Sequence, residues 1–487
     1  MPEAAGRIVV SMTYTHDHLT IRGHWIGGAT VAGDGTTIDV ISPVTGAPVA
    51  SIPVGNADDL DRAVASARRA LAGWAATSPA DRGAVILRLS EELGARNEQI
   101  AQAVTAEIGT PIGFSRMGQA GFPALVTAAV ASQAADFPWT EEVGNSLLVR
   151  EPVGVIGAIT PWNFPLQQVM TKIAPALLAG NTVVLKPADP APLTAPILAA
   201  AAQAAGLPDG VLNVVYGSGP VVGEAMSAHP GIDMISFTGS TAAGKRISVA
   251  AAATVKRVGL ELGGKTANIV LEGADIDAAV DATLMNIFSN SGQACGAWAR
   301  LLVPAALHDD IVDRLVAGAA AYTLGDPNDE ATRVGPVASE AQWERVNGYI
   351  ERGIAEGATV AFGGPGRVAG FEAGAYIRPT IFANVEPHST IAQEEIFGPV
   401  LSVIPYADDD EAVAIADGTV YGLTASVYGE QQHALAIAKR LHVGQVYING
   451  ADFNPLAPFG GYKQSGNGRE MGHAGLEEFT EIKAIQL

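Results

Sequence analysis

Between Pro152 and Leu271 the chain alternates short β-branched runs with longer alanine-rich segments, and that rhythm leaves few folds open. The runs are Val153–Ile159, Thr182–Leu185, Val211–Tyr216, Ile232–Phe237, Val255–Leu262 and Asn268–Leu271. They read as strands of a buried parallel sheet, whose members are near-continuously apolar. Between them Pro165–Leu178, Pro192–Ala205, Gly219–Ala228 and Thr241–Ala252 read as helices, two opening with Pro near the first turn and several closing on Gly. Repeated strand–helix–strand units predict a doubly wound α/β domain.

Three helical patterns precede it, Asp58–Ala76, Ser78–Leu93 and Asn97–Ile108, and are expected to cover one face of its sheet. After Leu271 the alternation restarts with a helix at Ile276–Ser291, a turn at Gly292–Cys295, a strand at Arg300–Pro304 and a helix at His308–Leu324, so a second α/β domain follows. Gly363, Gly364, Gly366, Gly370 and Gly374 read as a surface loop, because no helix follows directly to make a phosphate cradle. There is no internal repeat or low-complexity tract. The 487 residues suit about three packed units at ~100–200 residues each.

Composition narrows the function. Hydrophobic residues make up 48% and charged ones 16%, which excludes a largely disordered chain. With 29 Lys and Arg against 50 Asp and Glu, the net charge of −21 opposes binding to nucleic acid or an anionic membrane. No stretch approaches the ~20 apolar residues of a membrane helix, and with Glu3 and Arg7 near the start no secretory signal is expected. One cysteine, Cys295, permits neither an intrachain disulfide nor a multi-cysteine zinc site, which fits a reducing cytoplasm. His16, Asp17 and His18 lack a later ligand cluster and read as part of a mobile terminus.

Three motifs point elsewhere. Gly239 to Lys245 matches most of a P-loop, but Arg246 stands where a triphosphatase needs a hydroxyl for Mg2+, so the segment is at most a diphosphate cradle. Gly217-Ser-Gly219 starts a dinucleotide fingerprint, yet the next glycine, Gly223, is one residue too far. A cysteine hydrolase would pair Cys295 with a histidine, and none of the nine histidines has a catalytic context.

Four motifs stand where strands end, the ligand-binding side of open α/β sheets: Pro161-Trp-Asn-Phe-Pro165, Phe237-Thr-Gly-Ser-Thr241, Glu261-Leu-Gly-Gly-Lys265 and Gly292-Gln-Ala-Cys295. Together with Glu394-Glu-Ile-Phe-Gly-Pro399 and Pro458-Phe-Gly-Gly-Tyr-Lys463, in this order, they resemble the signature set of the aldehyde dehydrogenase superfamily, from about residue 20 to Lys483. The resemblance implies two Rossmann-like α/β domains plus a small β oligomerisation element. Dinucleotide binding falls to 1–128 and 152–263, catalysis to 264–465, and oligomerisation to 129–151 and 466–487, including a terminal strand at Leu476–Leu487.

The residue chemistry agrees with it. Oxidising an aldehyde needs a nucleophile that makes a tetrahedral adduct able to lose hydride, and Cys295 is the available thiol. A thiol of pKa ~8.5 needs a loop or helix dipole to become thiolate, which the turn at Gly292–Cys295 is expected to supply. The resemblance gives Asn163 and the Cys295 backbone N–H the oxyanion; by itself Asn163 reads equally as a helix cap. It makes Glu261 the base for thioester hydrolysis, which argues for a free acid rather than transfer to coenzyme A, and Glu470 a proton-relay candidate, with a surface ion pair as the competing reading.

By the same resemblance the cofactor is NAD, with NADP less preferred because Asp189 would repel a 2′-phosphate. Lys186 and Asp189 would meet the adenosine ribose, Gly239 and Ser240 the diphosphate, and Glu395 the nicotinamide ribose. Ile159, Trp162, Gly219, Phe237, Leu262, Gly263 and Phe397 would complete that site. Phe164, Gln168, Thr171 and Phe459 would line the path of a small-molecule aldehyde, Gln168 and Thr171 being more polar than the aromatic or Met residues frequent there. A homo-oligomer, dimer or tetramer, is expected, with no resident metal.

Overall fold

A computed structural model describes residues 19–487, so His16, Asp17 and His18 lie outside the described residues. Its largest sheet has eight strands in the order Gly466–Asn467, Arg257–Glu261, Met234–Thr238, Val155–Ile159, Thr182–Lys186, Leu212–Val214, His24–Ile26 and Ala29–Val31. The five from Arg257–Glu261 to Leu212–Val214 run parallel. Their side chains are buried along whole strands such as Val155–Ile159 and Thr182–Lys186, which is why they read as unbroken apolar runs. The chain starts at the central Val155–Ile159, winds first to Leu212–Val214, then crosses to Met234–Thr238. Its switch point therefore lies between the loops that follow Ile159 and Thr238.

Helix Ala57–Ala75 packs on this sheet, but Pro79–Ala95 and Asn97–Ile108 do not, contrary to the sequence expectation. Helix Pro165–Leu178 already occupies the sheet face and is buried along its entire length. Pro79–Ala95 packs on it and on Phe122–Ser132 as an outer layer, while Asn97–Ile108 lies against Ser115–Gly121 and Thr194–Ala204. The helix expected at Gly219–Ala228 opens instead as a π-helical turn, Gly219–Gly223, before Glu224–Ala228.

The segment near Asn268–Leu271 forms Ala267–Val270, which belongs to a second sheet. That sheet runs Thr359–Phe362, Thr380–Ala383, Val400–Tyr406, Arg300–Pro304, Ala267–Val270, Thr424–Tyr428 and Gln445–Ile448, and only Thr359–Phe362 is antiparallel among these. Glu261 ends a strand of the first sheet and Ala267 begins one of the second. Residues 262–266 thus bridge the carboxyl edge of one sheet to the amino edge of the other, and the cleft between those edges is where the motifs converge.

The third sheet joins Thr140–Val143, Ser146–Pro152 and Thr480–Gln486 in antiparallel array. The terminal strand starts later than Leu476, which sits in the helix Gly472–Glu477 with its side chain in the core. Helix Phe122–Ser132 runs unbroken through residue 128, and the strand that begins at Gly466 pairs into the first sheet. No helix among the described residues is long and apolar enough to cross a membrane.

Candidate active site

Cys295 lies between helix Ile276–Phe288 and strand Arg300–Pro304. After the helix, Asn290, Ser291 and Gly292 adopt φ of 49°, 54° and 71°. Left-handed conformations of non-glycine residues cost on the order of 1–3 kcal/mol and persist where surrounding contacts enforce them. Here Thr110 Oγ1 donates to Asn290 Oδ1 at 2.7 Å, and Ser291 Oγ donates to the Gly335 carbonyl at 2.9 Å. Gly292 is required, because a Cβ there would fall 2.2 Å from the Gly398 carbonyl oxygen.

The strained turn is clamped to Asn163. Asn163 Nδ2 donates to the Gln293 carbonyl at 2.9 Å, and the Asn163 carbonyl accepts from Asn290 Nδ2 at 3.0 Å and Gln119 Nε2 at 2.9 Å. The cap of helix Pro165–Leu178 is Phe164 without a side-chain bond, so Asn163 is not a capping residue. One amide hydrogen of Asn163 is left for another acceptor. Gln119, Asn290 and Thr110 carry no motif of their own; a polar residue in an apolar stretch, such as Gln119 between Met117 and Ala120, was the available signal.

The Cys295 thiol does not gain the expected help. Burial, then the carboxylates of Glu395, Glu261 and Glu470, push it up to about 12, against a small opposing effect of the Gly296 N–H. Cys295 follows the C-terminal end of helix Ile276–Phe288, the carbonyl pole, and not a helix N-terminus that would favour a thiolate. Glu261 is buried at 5% exposure with no partner on either carboxylate oxygen. Burial and then Glu470 raise its pKa well above the carboxylate range, with Lys172 and Arg469 opposing. Gly460 gives it room, since a Cβ there would lie 2.6 Å from Glu261 Oε1.

Glu470 is not a surface group. It pairs with Lys172 inside the protein, at side-chain exposures of 7% and 1%, and Lys172 also donates to Thr238 Oγ1 at 2.6 Å. Sequence reasoning passed over Lys172, whose signal was the one charged residue on helix Pro165–Leu178. Phe459, half-buried, exchanges two main-chain hydrogen bonds of 2.7 Å with Glu470. Phe164 sets its ring edge against Phe114 at 6.3 Å, and Thr171 Oγ1 donates to the Gln168 carbonyl at 3.2 Å.

The crevice at the switch point has the chemistry of a dinucleotide site. Ile159 and Phe237 are buried at its strand ends. Helix Thr241–Ala251 begins there, capped by Ser240 and with no acidic residue in its first turn, so its positive pole is free to face a phosphate. Lys245 Nζ donates to Gln464 Oε1 at 2.9 Å, and Arg246 stands where a triphosphatase needs a hydroxyl, which argues against that reading. Lys186 Nζ meets Asp189 Oδ1 at 3.1 Å; burial lowers the lysine and raises the aspartate. Gly219, the first residue of the π turn, is exposed nearby, whereas Gly217, at φ 139°, serves a tight turn against Val222 and Gly55.

Glu395 Oε1 accepts the Gly264 N–H at 2.9 Å, and its other oxygen is so close that a Cβ on Gly263 would meet it at 2.4 Å. The Leu262 N–H donates to the Ser465 carbonyl at 2.9 Å, fixing this bridge between the sheets. Trp162 stands edge-on to Phe397 with centroids 5.5 Å apart, framing the space between the crevice and the cysteine loop. An acidic hydroxyl acceptor, two aromatic walls and an uncluttered helix N-terminus fit a dinucleotide in that crevice.

Fold and site together define an α/β enzyme in which a nucleotide crevice opens onto a half-buried cysteine flanked by carboxylates. The model of the aldehyde dehydrogenase family matches residues 30–485. A 3-succinoylsemialdehyde-pyridine dehydrogenase of a Pseudomonas species is 46% identical over 451 residues, covering 92% of this chain and 94% of that protein. A cysteine-to-alanine mutant of aldehyde dehydrogenase C from Pseudomonas syringae, solved with NAD+ and octanal, superposes with a TM-score of 0.94 at 48% identity, covering 96% of each chain. A Mycobacterium tuberculosis aldehyde dehydrogenase solved with NAD+ gives 0.94 at 42% identity, covering 97% and 99%. The chain belongs to the aldehyde dehydrogenase family.

Proposed function

We propose that the protein oxidises aldehydes to free carboxylic acids with NAD+, through a covalent adduct on Cys295. The carbonyl carbon is attacked by the Cys295 sulfur as its thiol proton is lost to solvent water, and the oxyanion is met by the remaining amide hydrogen of Asn163 and the Cys295 backbone N–H. The bound oxidised nicotinamide supplies a hydride acceptor and a positive charge that offsets the carboxylates around the thiol. Loss of hydride from the adduct leaves a thioester. Glu261 then takes a proton from water, whose oxygen adds to the thioester carbon, and the acid departs as the thiol is restored. Glu470, paired with Lys172, would relay the proton away from Glu261.

The observation that carries this reading is Glu261, a carboxyl buried without a partner within electrostatic reach of Cys295. Such a group waits for a ligand, and water at a thioester is one. Lys186, Asp189, Ser240 and Glu395 would hold the dinucleotide, with Trp162 and Phe397 beside its ring; Phe164, Gln168, Thr171 and Phe459 would line the aldehyde path. We assign 1–128 with 152–263 to cofactor binding, 264–465 to catalysis and 129–151 with 466–487 to assembly of a dimer or tetramer. The apolar Ile482, Ile485 and Leu487 are exposed on the terminal strand and its end, which supports that last role. The lone thiol is suited to a reducing cytoplasm. The test is aldehyde-dependent NADH formation without added Mg2+, across aliphatic, aromatic and semialdehyde substrates. A cysteine hydrolase would act without NAD+.

A further inference from the structure

Buried polar atoms in proteins are nearly always hydrogen-bonded, so those that are not mark places where something else binds. Unpartnered buried oxygens are found on Gln119, Thr160, Gln167, Gln168 and Glu261, and the first four belong to residues beside Asn163 in the chain or bonded to it. Thr160 precedes it by three positions, Gln119 holds its carbonyl, and Gln167 and Gln168 lie on the first turn of the helix that follows. Glu261 is accounted for by the reaction and Gln119 by its bond to Asn163. Gln168 is not.

Its position is defined by the helix. The Gln168 N–H donates to the Phe164 carbonyl at 2.9 Å, and residues 164, 168 and 172 form one ridge at i, i+4 spacing. The ridge starts at Phe164, next to the Asn163 amide, and ends at Lys172, whose ammonium reaches Glu470. Helical side chains lean toward the N-terminus, so Gln168 leans back toward Asn163. At 9% exposure its Oε1 is buried with no donor. Phe164, on the same ridge, is apolar and stands edge-on to Phe114.

Resting on the function proposed above, we infer that Gln168 selects aldehydes with an apolar body that carry a hydroxyl or N–H donor about one helical turn, ~5.4 Å, from the carbonyl. The donor would satisfy Gln168 Oε1. An alkyl aldehyde of equal size would cover that oxygen and leave it unpaired, which is the costly arrangement.

The experiment compares 3-hydroxybenzaldehyde with 3-methylbenzaldehyde, a hydroxyl exchanged for a methyl, by kcat/KM with NAD+. The native enzyme should favour the hydroxylated aldehyde by about tenfold to a hundredfold. In Gln168→Met, or Gln168→Leu if the first does not fold, the ratio should fall to near one, chiefly through a higher KM for the hydroxylated substrate. The ratio is read within one enzyme, so a general loss of activity cancels. A native ratio at or below one, or a ratio unchanged in the variant, overturns this inference alone. If neither aldehyde gives NADH but an aliphatic or semialdehyde substrate does, this inference alone falls; if no aldehyde of the three classes gives NADH, the parent function falls with it.

Discussion

The side-chain amide of Asn163 donates to the main-chain carbonyl of Gln293 at 2.9 Å, two residues before Cys295. That bond spends one amide hydrogen on holding the cysteine turn and orients the other. Asn163→Ala should therefore lower kcat by ~10²–10³, the usual effect of losing one oxyanion donor. Steady-state kinetics with a chemistry-limited aldehyde checks this, and a fall of less than tenfold would leave the amide a purely structural role.

The ion pair of Lys172 and Glu470 is buried, so removing one partner leaves an uncompensated charge. Lys172→Met should destabilise the protein by about 3–5 kcal/mol, and adding Glu470→Gln should recover much of that. Urea unfolding of the single and double variants measures both. Equal stability of Lys172→Met and the native protein would show that the pair is solvated.

Asp189 beside Lys186 should make NAD+ the better cofactor. Its charge opposes a 2′-phosphate, while the lone ammonium of Lys186 limits the discrimination. kcat/KM for each cofactor at one saturating aldehyde decides it, and Asp189→Asn should narrow the gap. An equal or higher value for NADP+ would remove Asp189 from the ribose.

Deleting residues 480–487 should give inactive or aggregated protein, because it exposes the edge of Ser146–Pro152 and removes the apolar strand proposed for assembly. Size-exclusion chromatography with light scattering reads the outcome. An active, monodisperse monomer would refute that role.

The parallel sheet was legible in the sequence because strands buried on both faces appear as apolar runs, and Pro165–Leu178 was readable to the residue. The motifs at strand ends were legible for a related reason, since chemistry concentrates where strands stop. Three things were not. The raised Cys295 thiol depends on burial and on carboxylates from distant segments. Lys172 reads as an ordinary helical lysine until folding brings it to Glu470, 298 positions away. Layering was also hidden, because Pro79–Ala95 has an amphipathic pattern whether it covers a sheet or another helix.

The most direct test of the mechanism uses Glu261→Gln in rapid mixing with NAD+ and an aldehyde. Burial raises the Glu261 carboxyl, so in the native enzyme deacylation should rise with pH as that group loses its proton. The variant should release about one equivalent of NADH per active site in a burst, followed by near-complete loss of steady turnover without that rise, while Cys295→Ala should give no burst and still bind NAD+. Undiminished steady turnover in Glu261→Gln, or a burst from Cys295→Ala, would contradict the account.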